Sequence, residues 1–394
     1  HTTIGGEGWG VSLGNSGFWI SKVAIGDGHS IFVHRENFSK HVYLSGKNSS
    51  GQLGDGTQNS RNGYAYGLSG VRDAAAGEDF SLFLKEDGSL WGTGGNDHGQ
   101  LGLGHENNQT PRQMIVPSGV QRIAAGFDHA FYVKQDGSLW GMGRNYDGQL
   151  GTGDQIDRNQ SVLIMSSGVS QVSAGRDHTL IVKTDGSLWA MGRNNLGQLG
   201  TGDTTPRLAP TRIEPGGVMQ ASAGLDHSLY VKWNGSLRGM GYDDYGELGR
   251  ASPASLLSPT ELVASDVEQV SAGMHHTHYL KSDGTLWGMG WNDQGQLGSG
   301  DKVNKNTAAQ IDTDVVRLAD FPFPNPYWRK FAAPDRASGD EFGDSISFSE
   351  KNLAVGARYS DSNGVSNAGA AYLYRLEANG SASILTKVTA PDKA

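Results

Sequence analysis

One phrase repeats along this chain at a constant interval, and it limits the possible folds more than any other feature. Gly-Ser-Leu-Trp-Gly, or a close variant, recurs every 49 residues. Its aromatic position is occupied in turn by Trp91, Trp140, Trp189, Arg238 and Trp287, with a weaker copy at Tyr43. Such regular self-similarity indicates a repeat architecture, in which each unit packs against its neighbours.

Two further phrases keep the same register. Ala-Gly-x-Asp-His begins at Ala125, Ala174 and Ala223, with the variant Ala-Gly-Met-His-His at Ala272. Gly-Gln-Leu-Gly begins at Gly51, Gly99, Gly148, Gly197 and Gly295, with Gly-Glu-Leu-Gly at Gly246. Three phrases in one register cannot be coincidental, so the repeat is the organising unit of the fold.

Each unit has the composition of β-structure. The β-forming run 179–182 and the apolar run 188–191 flank Asp185-Gly186. An Asp-Gly pair between apolar runs predicts a two-residue hairpin with both turn residues at positive φ. A 49-residue unit holding three or four short strands predicts a blade of a β-propeller. The alternative is a β-solenoid, whose rungs are usually much shorter.

These phrases, in this order, resemble the regulator of chromosome condensation repeat family. The resemblance covers about Gly26 to Ala319, roughly three quarters of the chain. It implies an all-β, seven-bladed propeller. Six units carry the Gly-Gln-Leu-Gly type of loop, and a degenerate seventh is expected around Trp9-Gly10-Val11. Incomplete closure of the ring therefore stays open.

The C-terminal part of the sequence follows a different pattern. We predict a propeller at 1–320, a proline-rich linker at 321–331 and another unit at 332–394. The last resembles the FG-GAP repeat of integrin α-chains through Phe342-Gly343 and Gly356-Ala357. Thr389-Ala390-Pro391-Asp392 starts a second, truncated repeat, so we expect a fragment that continues into a second propeller. Asp361 and Asn363 supply too few oxygen donors for a predicted calcium site.

Composition excludes several classes of function. The formal net charge of −9 argues against a nucleic-acid partner. No stretch of 18 apolar residues exists, so no membrane insertion is predicted. Without cysteine, disulfides, thiolate metal sites and cysteine nucleophiles are all excluded.

The Asp-His pairs are the most suggestive catalytic residues, but they recur with the repeat. They are Asp128-His129, Asp177-His178 and Asp226-His227. Catalysis needs one asymmetric constellation, whereas equivalent residues of successive blades occupy separate places. We predict that each histidine makes a structural hydrogen bond within or between blades. Asp154, Asp203 and Asp301 are predicted turn formers. No catalytic residue, metal site or cofactor is therefore predicted, and the chain is predicted not to be an enzyme.

Positions that vary inside an otherwise constant repeat are the candidates for recognition. Aromatic and arginine side chains on a rigid surface often dominate binding. The predicted binding patch comprises Phe127, Tyr146, Arg176, Leu196, Leu225 and Tyr245. The alternative is that these residues are neutral, exposed loop positions.

The sequence thus favours a non-enzymatic binding or scaffold protein with a protein or glycan partner. We expect a bacterial protein that is extracellular or on the cell surface, with a cytoplasmic location as the alternative. The alternative functions are guanine-nucleotide exchange on a small GTPase, which the family resemblance implies, and a propeller-based hydrolase or lyase. The constant 49-residue spacing from Trp91 to Trp287 leaves no room for the inserted wedge that the resemblance associates with exchange.

Overall fold

The computed structural model describes the backbone of residues 2–3, 11–12, 18–36, 39–251, 254–313, 342–348, 352–357, 370–376 and 382–389. Side chains are described for 22–33, 40–63, 67–251 and 254–313. All regular elements in these ranges are β-strands.

Six four-stranded antiparallel sheets, here called blades 1 to 6, follow one another along the chain. Two short strands precede them, β1 (Thr2–Thr3) and β2 (Val11–Ser12), and both pair with the first strand of blade 1. Blade 1 contains β3 (Phe18–Ile25), β4 (His29–Glu36), β5 (Ser39–Gly46) and β6 (Arg61–Ser69). Blade 2 contains β7 (Val71–Ala76), β8 (Phe80–Lys85), β9 (Leu90–Gly94) and β10 (Gln109–Val116). Blade 3 contains β11 (Val120–Ala125), β12 (His129–Lys134), β13 (Leu139–Gly143) and β14 (Arg158–Met165).

The last three blades repeat this order without insertion. Blade 4 contains β15 (Val169–Ala174), β16 (His178–Lys183), β17 (Leu188–Gly192) and β18 (Arg207–Glu214). Blade 5 contains β19 (Val218–Ala223), β20 (His227–Lys232), β21 (Leu237–Gly241) and β22 (Leu256–Val263). Blade 6 contains β23 (Val267–Ala272), β24 (His276–Lys281), β25 (Leu286–Gly290) and β26 (Lys305–Asp312).

The core lies between blades. In blade 4, β16 is buried almost throughout, whereas the outer strand β18 alternates between partly buried and exposed residues. Consecutive blades pack the second strand of one against the first strand of the next, as β16 packs on β19. Gln171 in β15 also bonds to both backbone groups of Ala221 in β19, at 3.2 Å and 3.0 Å. Each blade therefore completes the core of its neighbour, as in a propeller.

The Asp-Gly hairpins differ in one detail from the prediction. Gly137, Gly186 and Gly284 have positive φ, at 77°, 77° and 81°, but Asp185 does not. Gly186 N donates to Lys183 O at 2.9 Å, which closes a type I turn before the glycine. The loop is therefore a type I turn followed by a left-handed glycine, the three-residue hairpin, rather than a two-residue turn.

The repeated Asp-Gly-Ser-Leu-Trp phrase is explained by a chain of hydrogen bonds. Trp189 Nε1 donates to Ser187 Oγ at 2.9 Å, and Ser187 Oγ donates to Asp185 Oδ1 at 2.6 Å. Lys183 Nζ lies 5.9 Å from the Trp189 ring centroid. The tryptophan thus anchors the hairpin on the outer side of its blade.

A seventh sheet forms from the C-terminal strands. It contains β27 (Phe342–Phe348), β28 (Asn352–Ala357), β29 (Ala370–Leu376) and β30 (Ala382–Thr389), paired antiparallel in chain order. Phe342-Gly343 and Gly356-Ala357 lie in its first two strands. The predicted linker at 321–331, Asp361 and Asn363 lie outside the described residues, and the domain boundaries stay predictions.

The predicted all-β propeller fold is confirmed by these repeated four-stranded blades. Of the predicted degenerate seventh unit, Val11 pairs with Ile20, while Trp9 and Gly10 lie outside the described residues.

Candidate functional site

The blade topology gathers two sets of loops at one end of the molecule. In a four-stranded meander, the first and third connections lie at one end and the second connection lies at the other. The first connections carry Ala-Gly-x-Asp-His, and the third carry Gly-Gln-Leu-Gly. We call this end the loop face and the end with the Asp-Gly hairpins the hairpin face. All six residues of the predicted binding patch lie on the loop face.

The histidines of the Asp-His pairs are structural, as predicted. His178 is fully buried, and its Nε2 lies 2.8 Å from Ser228 Oγ in the next blade. The Ser228 hydroxyl donates its hydrogen to Gln198 O at 2.7 Å, so it accepts a bond from His178 Nε2–H. The same arrangement links His29 to Ser81, His129 to Thr179 and His227 to Thr277.

Burial keeps these imidazoles neutral. Loss of hydration lowers the pKa of His129, His178 and His227 to about 3 and that of His29 to about 4. Their Nδ1 atoms are buried without a partner, so a second proton would have no acceptor. These groups do not act as general bases near neutral pH. No group of three potential metal ligands was found among the described residues.

Blade 2 replaces this polar link with an apolar one. Phe80 stands at the histidine position, and Ala130 of blade 3 stands where the other blades have serine or threonine. Both side chains are fully buried in one hydrophobic cluster. The link therefore stabilises the blade interface and is not required at every interface.

The turn carboxylates also behave as predicted. Asp203 Oδ1 accepts from Thr205 N and Thr201 Oγ1, both at 3.0 Å, while Oδ2 pairs with Arg207 at 2.7 Å. The bond from Arg207 is the main reason that the pKa of Asp203 falls to about 2. Asn194 Nδ2 then holds the same loop through the Asp203 carbonyl at 2.9 Å. Asp154 and Asp301 are bonded in the same way.

The aspartates of the Asp-His pairs organise arginines on the loop face. Asp177 is 4% exposed and lies within 3.3 Å of Arg144, 3.5 Å of Arg176 and 3.4 Å of Arg193. Further carboxylates lie near the same guanidinium groups, so the charges of this group are largely paired. We call Arg144, Arg176 and Arg193 the arginine sector.

The predicted patch residues differ in their accessibility. Tyr146 is 67% exposed and Tyr245 is 38% exposed, whereas Leu225 is only 7% exposed. Phe127, Arg176 and Leu196 are half-buried. Leu225 is therefore the least accessible member of the patch.

Internal contacts join some of these residues. The Arg176 guanidinium lies 5.4 Å from the Phe127 ring centroid, and Arg144 lies 6.0 Å from that of Tyr146. Arg144 in turn contacts Asp177, so Phe127, Tyr146 and Arg176 belong to one connected group. Tyr146 stands one position earlier in the repeat than Leu196 and Tyr245. Binding through this patch stays a prediction.

A second group lies on the loop face, and only its member Tyr245 was predicted from the sequence. The rings of Tyr242, Tyr245, His275 and Trp291 pack against one another with centroids 5.3–6.0 Å apart. We call these four residues the aromatic sector. Three of them depart from the repeat, since blades 3 and 4 have arginine at the Tyr242 and Trp291 positions and aspartate is usual at the His275 position. Those departures were the available signal.

A family model describes most of the repeat region. The RCC1-like domain model matches residues 11–321, and the FG-GAP repeat model matches 328–374. Because the first match covers well over half of the chain, the protein belongs to the RCC1-like family. Its structural neighbours include human WBSCR16, with 22% identity and a TM-score of 0.66 over 75% of this chain and 82% of that one. Prp20p from Saccharomyces cerevisiae has 20% identity and a TM-score of 0.65 over 75% and 77% of the two chains.

One curated relative carries a functional name. The X-linked retinitis pigmentosa GTPase regulator of Homo sapiens is 33% identical over 107 residues, which are 25% of this chain and 10% of the relative. The chain thus matches only a tenth of that protein's length.

The prediction that this chain is not an enzyme is corrected by these comparisons. The relative is named a GTPase regulator, and guanine-nucleotide exchange, which the family resemblance implies, is a catalytic activity. The recurrence of the Asp-His pairs in successive blades argues against catalysis by these side chains, but nucleotide exchange needs no nucleophile. It requires only a surface that binds the GTPase differently in its nucleotide-bound and nucleotide-free states.

Proposed function

We propose that this protein is a protein-binding propeller that regulates a small GTPase, with guanine-nucleotide exchange as its activity. The observation that carries the proposal is the contrast within the loop face of an RCC1-like propeller. Buried bonds such as Asn194–Asp203 and His178–Ser228 recur from blade to blade and hold the loops rigidly. The accessible side chains between them, such as Tyr146 and Tyr245, differ from blade to blade.

Rigid presentation favours a macromolecular partner. A preorganised surface loses little conformational entropy on binding, so aromatic and arginine contacts contribute more of their energy to affinity. The relatives support this class of partner, because Prp20p was described with its binding to Gsp1p and histones. The charge of this chain, −9, makes a protein partner more plausible than nucleic acid. Among the described residues, no helix is long and apolar enough to cross a bilayer.

The cellular location of the protein would distinguish between the candidate partners. A small GTPase as partner requires the cytoplasmic alternative, whereas the extracellular or cell-surface location goes with another protein or a glycan. The bacterial source and the surface location stay predictions.

The experiment is a nucleotide-release assay with a panel of small GTPases loaded with fluorescent GDP. We expect the 394-residue chain to accelerate release from at least one of them. The double variant Tyr146→Ala/Tyr245→Ala should lose at least about tenfold in rate, since exposed aromatic anchors typically dominate such interfaces. Trp233→Ala is the matched control, because Trp233 is 66% exposed but lies on the hairpin face.

Two results would contradict the proposal. Release that is unaffected by the chain across the panel, with no GTPase retained in pull-downs, argues against GTPase regulation. Equal activity of the wild-type protein and the double variant, with reduced activity of Trp233→Ala, argues against the loop face. Glycan-array binding in the absence of any GTPase effect would favour the other partner class.

A further inference from the structure

The departures from the repeat in blades 5 and 6 converge on one place. Tyr242 and Trp291 replace the arginine that blades 3 and 4 place at this position. His275 replaces the aspartate of the Asp-His pairs, and Glu247 replaces the glutamine of Gly-Gln-Leu-Gly. Four substitutions that are scattered over 50 residues of sequence thus meet on the loop face.

His275 lies at the centre of this group. Its ring centroid is 5.3 Å from that of Tyr245, 5.8 Å from that of Tyr242 and 5.8 Å from that of Trp291. The rings of Tyr245 and Trp291 are 5.9 Å apart and tilted by 32°. Tyr245 is 38% exposed, while the other three residues are half-buried. The sector is therefore partly packed against the protein and partly accessible to solvent.

The carboxylate beneath the sector orients the imidazole. In two other blades the glutamine donates to an aspartate: Gln52 to Asp79 at 3.0 Å and Gln198 to Asp226 at 3.2 Å. Here Glu247, whose side chain is fully buried, accepts from Tyr245 N at 3.0 Å and lies 3.2 Å from His275 Nδ1. A carboxylate can only accept, so His275 Nδ1 carries the hydrogen and Nε2 is the nitrogen left to bond a ligand.

The aromatic sector differs from Phe127 and Tyr146, which also lie on the loop face, in having no cation above its rings among the described residues. The loop-face rings of Phe127 and Tyr146 are each covered by an arginine, and the four blade tryptophans are each covered by a lysine. In the described part of the chain, no lysine or arginine covers Tyr242, Tyr245 or Trp291. These rings keep their negative faces available.

The nearby charges are acidic. Burial, with the Asp244 and Glu247 carboxylates, raises the pKa of Tyr242 to about 12, which keeps the phenol neutral. Asp244 itself is exposed. Blades 3 and 4 instead carry arginines at the Tyr242 and Trp291 positions, so the neighbouring parts of the loop face differ in side-chain chemistry. Aromatic faces beside carboxylates are complementary to a positive charge and not to an anion.

We propose that the aromatic sector binds a basic side chain, arginine or lysine, of the protein partner. The cation lies against the Tyr245 and Trp291 rings, near the Asp244 carboxylate, with His275 Nε2 as a further acceptor. This inference rests on the proposed function for its protein partner, but not on nucleotide exchange. The contact would orient the partner, because a basic residue of the partner must face blades 5 and 6.

The test measures binding of fluorescent peptides by anisotropy. The probes are a six-residue arginine–glycine peptide, its glutamate–glycine counterpart and a serine–glycine peptide. We expect only the arginine peptide to bind. Tyr245→Leu and Trp291→Leu should each weaken its binding by about fivefold or more. Tyr245→Phe keeps the ring and should restore most of the affinity.

Two further variants guard against misfolding and non-specific attraction. Trp291→Arg introduces the residue that blades 3 and 4 carry at this position, so the fold can accept it, and the new cation should abolish binding. Glu78→Gln removes an acid on the loop face of blade 2 and should leave binding unchanged. Binding that survives Trp291→Arg, or that falls with Glu78→Gln and not with Tyr245→Leu, overturns the proposal.

The GTPase assay separates this inference from the proposed function. Arginine-peptide binding through the aromatic sector without any GTPase effect supports the basic-side-chain site and contradicts the proposed regulator. A GTPase that responds equally to the wild-type protein and to Trp291→Arg supports the regulator and contradicts the site.

Discussion

The link between His178 and Ser228 provides a quantitative test of how the blades are held together. The perturbation is a double-mutant cycle that converts this interface to the apolar pair found between blades 2 and 3. Its members are His178→Phe, Ser228→Ala and the double variant, which reproduces Phe80 and Ala130 at equivalent positions.

The expected magnitudes follow from the bonds that each change removes. Ser228→Ala leaves the buried His178 Nε2–H and the Gln198 carbonyl without this partner. Each orphaned group costs about 1–3 kcal/mol, so the free energy of unfolding should fall by about 2–6 kcal/mol. His178→Phe adds volume to a packed site and should cost about 1–3 kcal/mol. The double variant should be more stable than the sum of the two losses predicts, with a coupling energy of about 1–3 kcal/mol.

The same residue makes stability depend on pH. The pKa of His178 is about 3 in the folded protein, and it returns to about 6.5 on unfolding. The unfolded chain therefore binds more protons, so stability is complete above pH 6.5 and falls as the pH decreases towards 3. As the pH falls from 7.5 to 5.5, protonation of this histidine in the unfolded chain should lower the free energy of unfolding by about 1.4 kcal/mol. The double variant lacks this histidine, so its free energy of unfolding should fall less over the same pH range than that of the wild-type protein, by the same amount.

The assay is urea unfolding of all four proteins at both pH values, followed by tryptophan fluorescence and circular dichroism. Strictly additive losses would show that His178 and Ser228 do not interact. An identical acid sensitivity of the wild-type protein and the double variant would show that His178 is not kept neutral by burial. Either result would refute the proposed link.

Three further changes test individual features of the blades by thermal unfolding. Gly186→Val should lower the free energy of unfolding by more than about 2 kcal/mol, because φ is 77° and a Cβ atom would lie 2.8 Å from a backbone nitrogen. The control Gly153→Val has a similarly positive φ but open space around the Cβ position, so it should cost less stability. Equal losses for the two variants would rule out the clash. Ser187→Ala should cost about 1–2 kcal/mol by leaving Trp189 Nε1 unpaired, whereas Ser187→Thr, the residue of blade 6, should be nearly neutral; similar losses for both would argue against the bond. Asp266→Gly should stabilise by up to about 1 kcal/mol, since Asp266 has φ of 69° where the preceding blades have glycine; a lower melting temperature would count against strain there.

The repeat made the fold predictable because a periodic sequence must place equivalent residues in equivalent surroundings. The positive φ of Gly137, Gly186 and Gly284 followed from the same logic. The turn type did not, because Asp-Gly fits both a two-residue and a three-residue hairpin. The backbone pairing across the turn decides between the two types. Here Lys183 N bonds to Ser187 O at 2.9 Å, as in the three-residue hairpin.

The candidate site was only partly predictable, since variation marks a position as free without showing what surrounds it. Phe127, Tyr146 and Arg176 were identified in this way, and they do share a connected group. Leu225 was identified by the same rule but is buried. The contact of His275 with Tyr245 crosses from blade 6 to blade 5, and the arrangement of two blades is not encoded locally in one sequence.

The final prediction concerns the paired replacement of Glu247 and His275. A glutamine–aspartate pair links Gln198 to Asp226, so a glutamate–histidine pair is not needed for blade packing. Restoring the repeat with Glu247→Gln/His275→Asp should therefore leave the melting temperature within a few degrees of wild type, because both polar partners remain satisfied. The same change removes one ring from the aromatic sector and the acceptor Nε2, so arginine-peptide binding should weaken by about fivefold or more. The single variant His275→Asp should be less stable than the double variant, because it places two carboxylates side by side. If the double variant binds the arginine peptide as tightly as wild type does, the glutamate–histidine pair has no part in recognition; if it melts far lower, the pair serves packing instead.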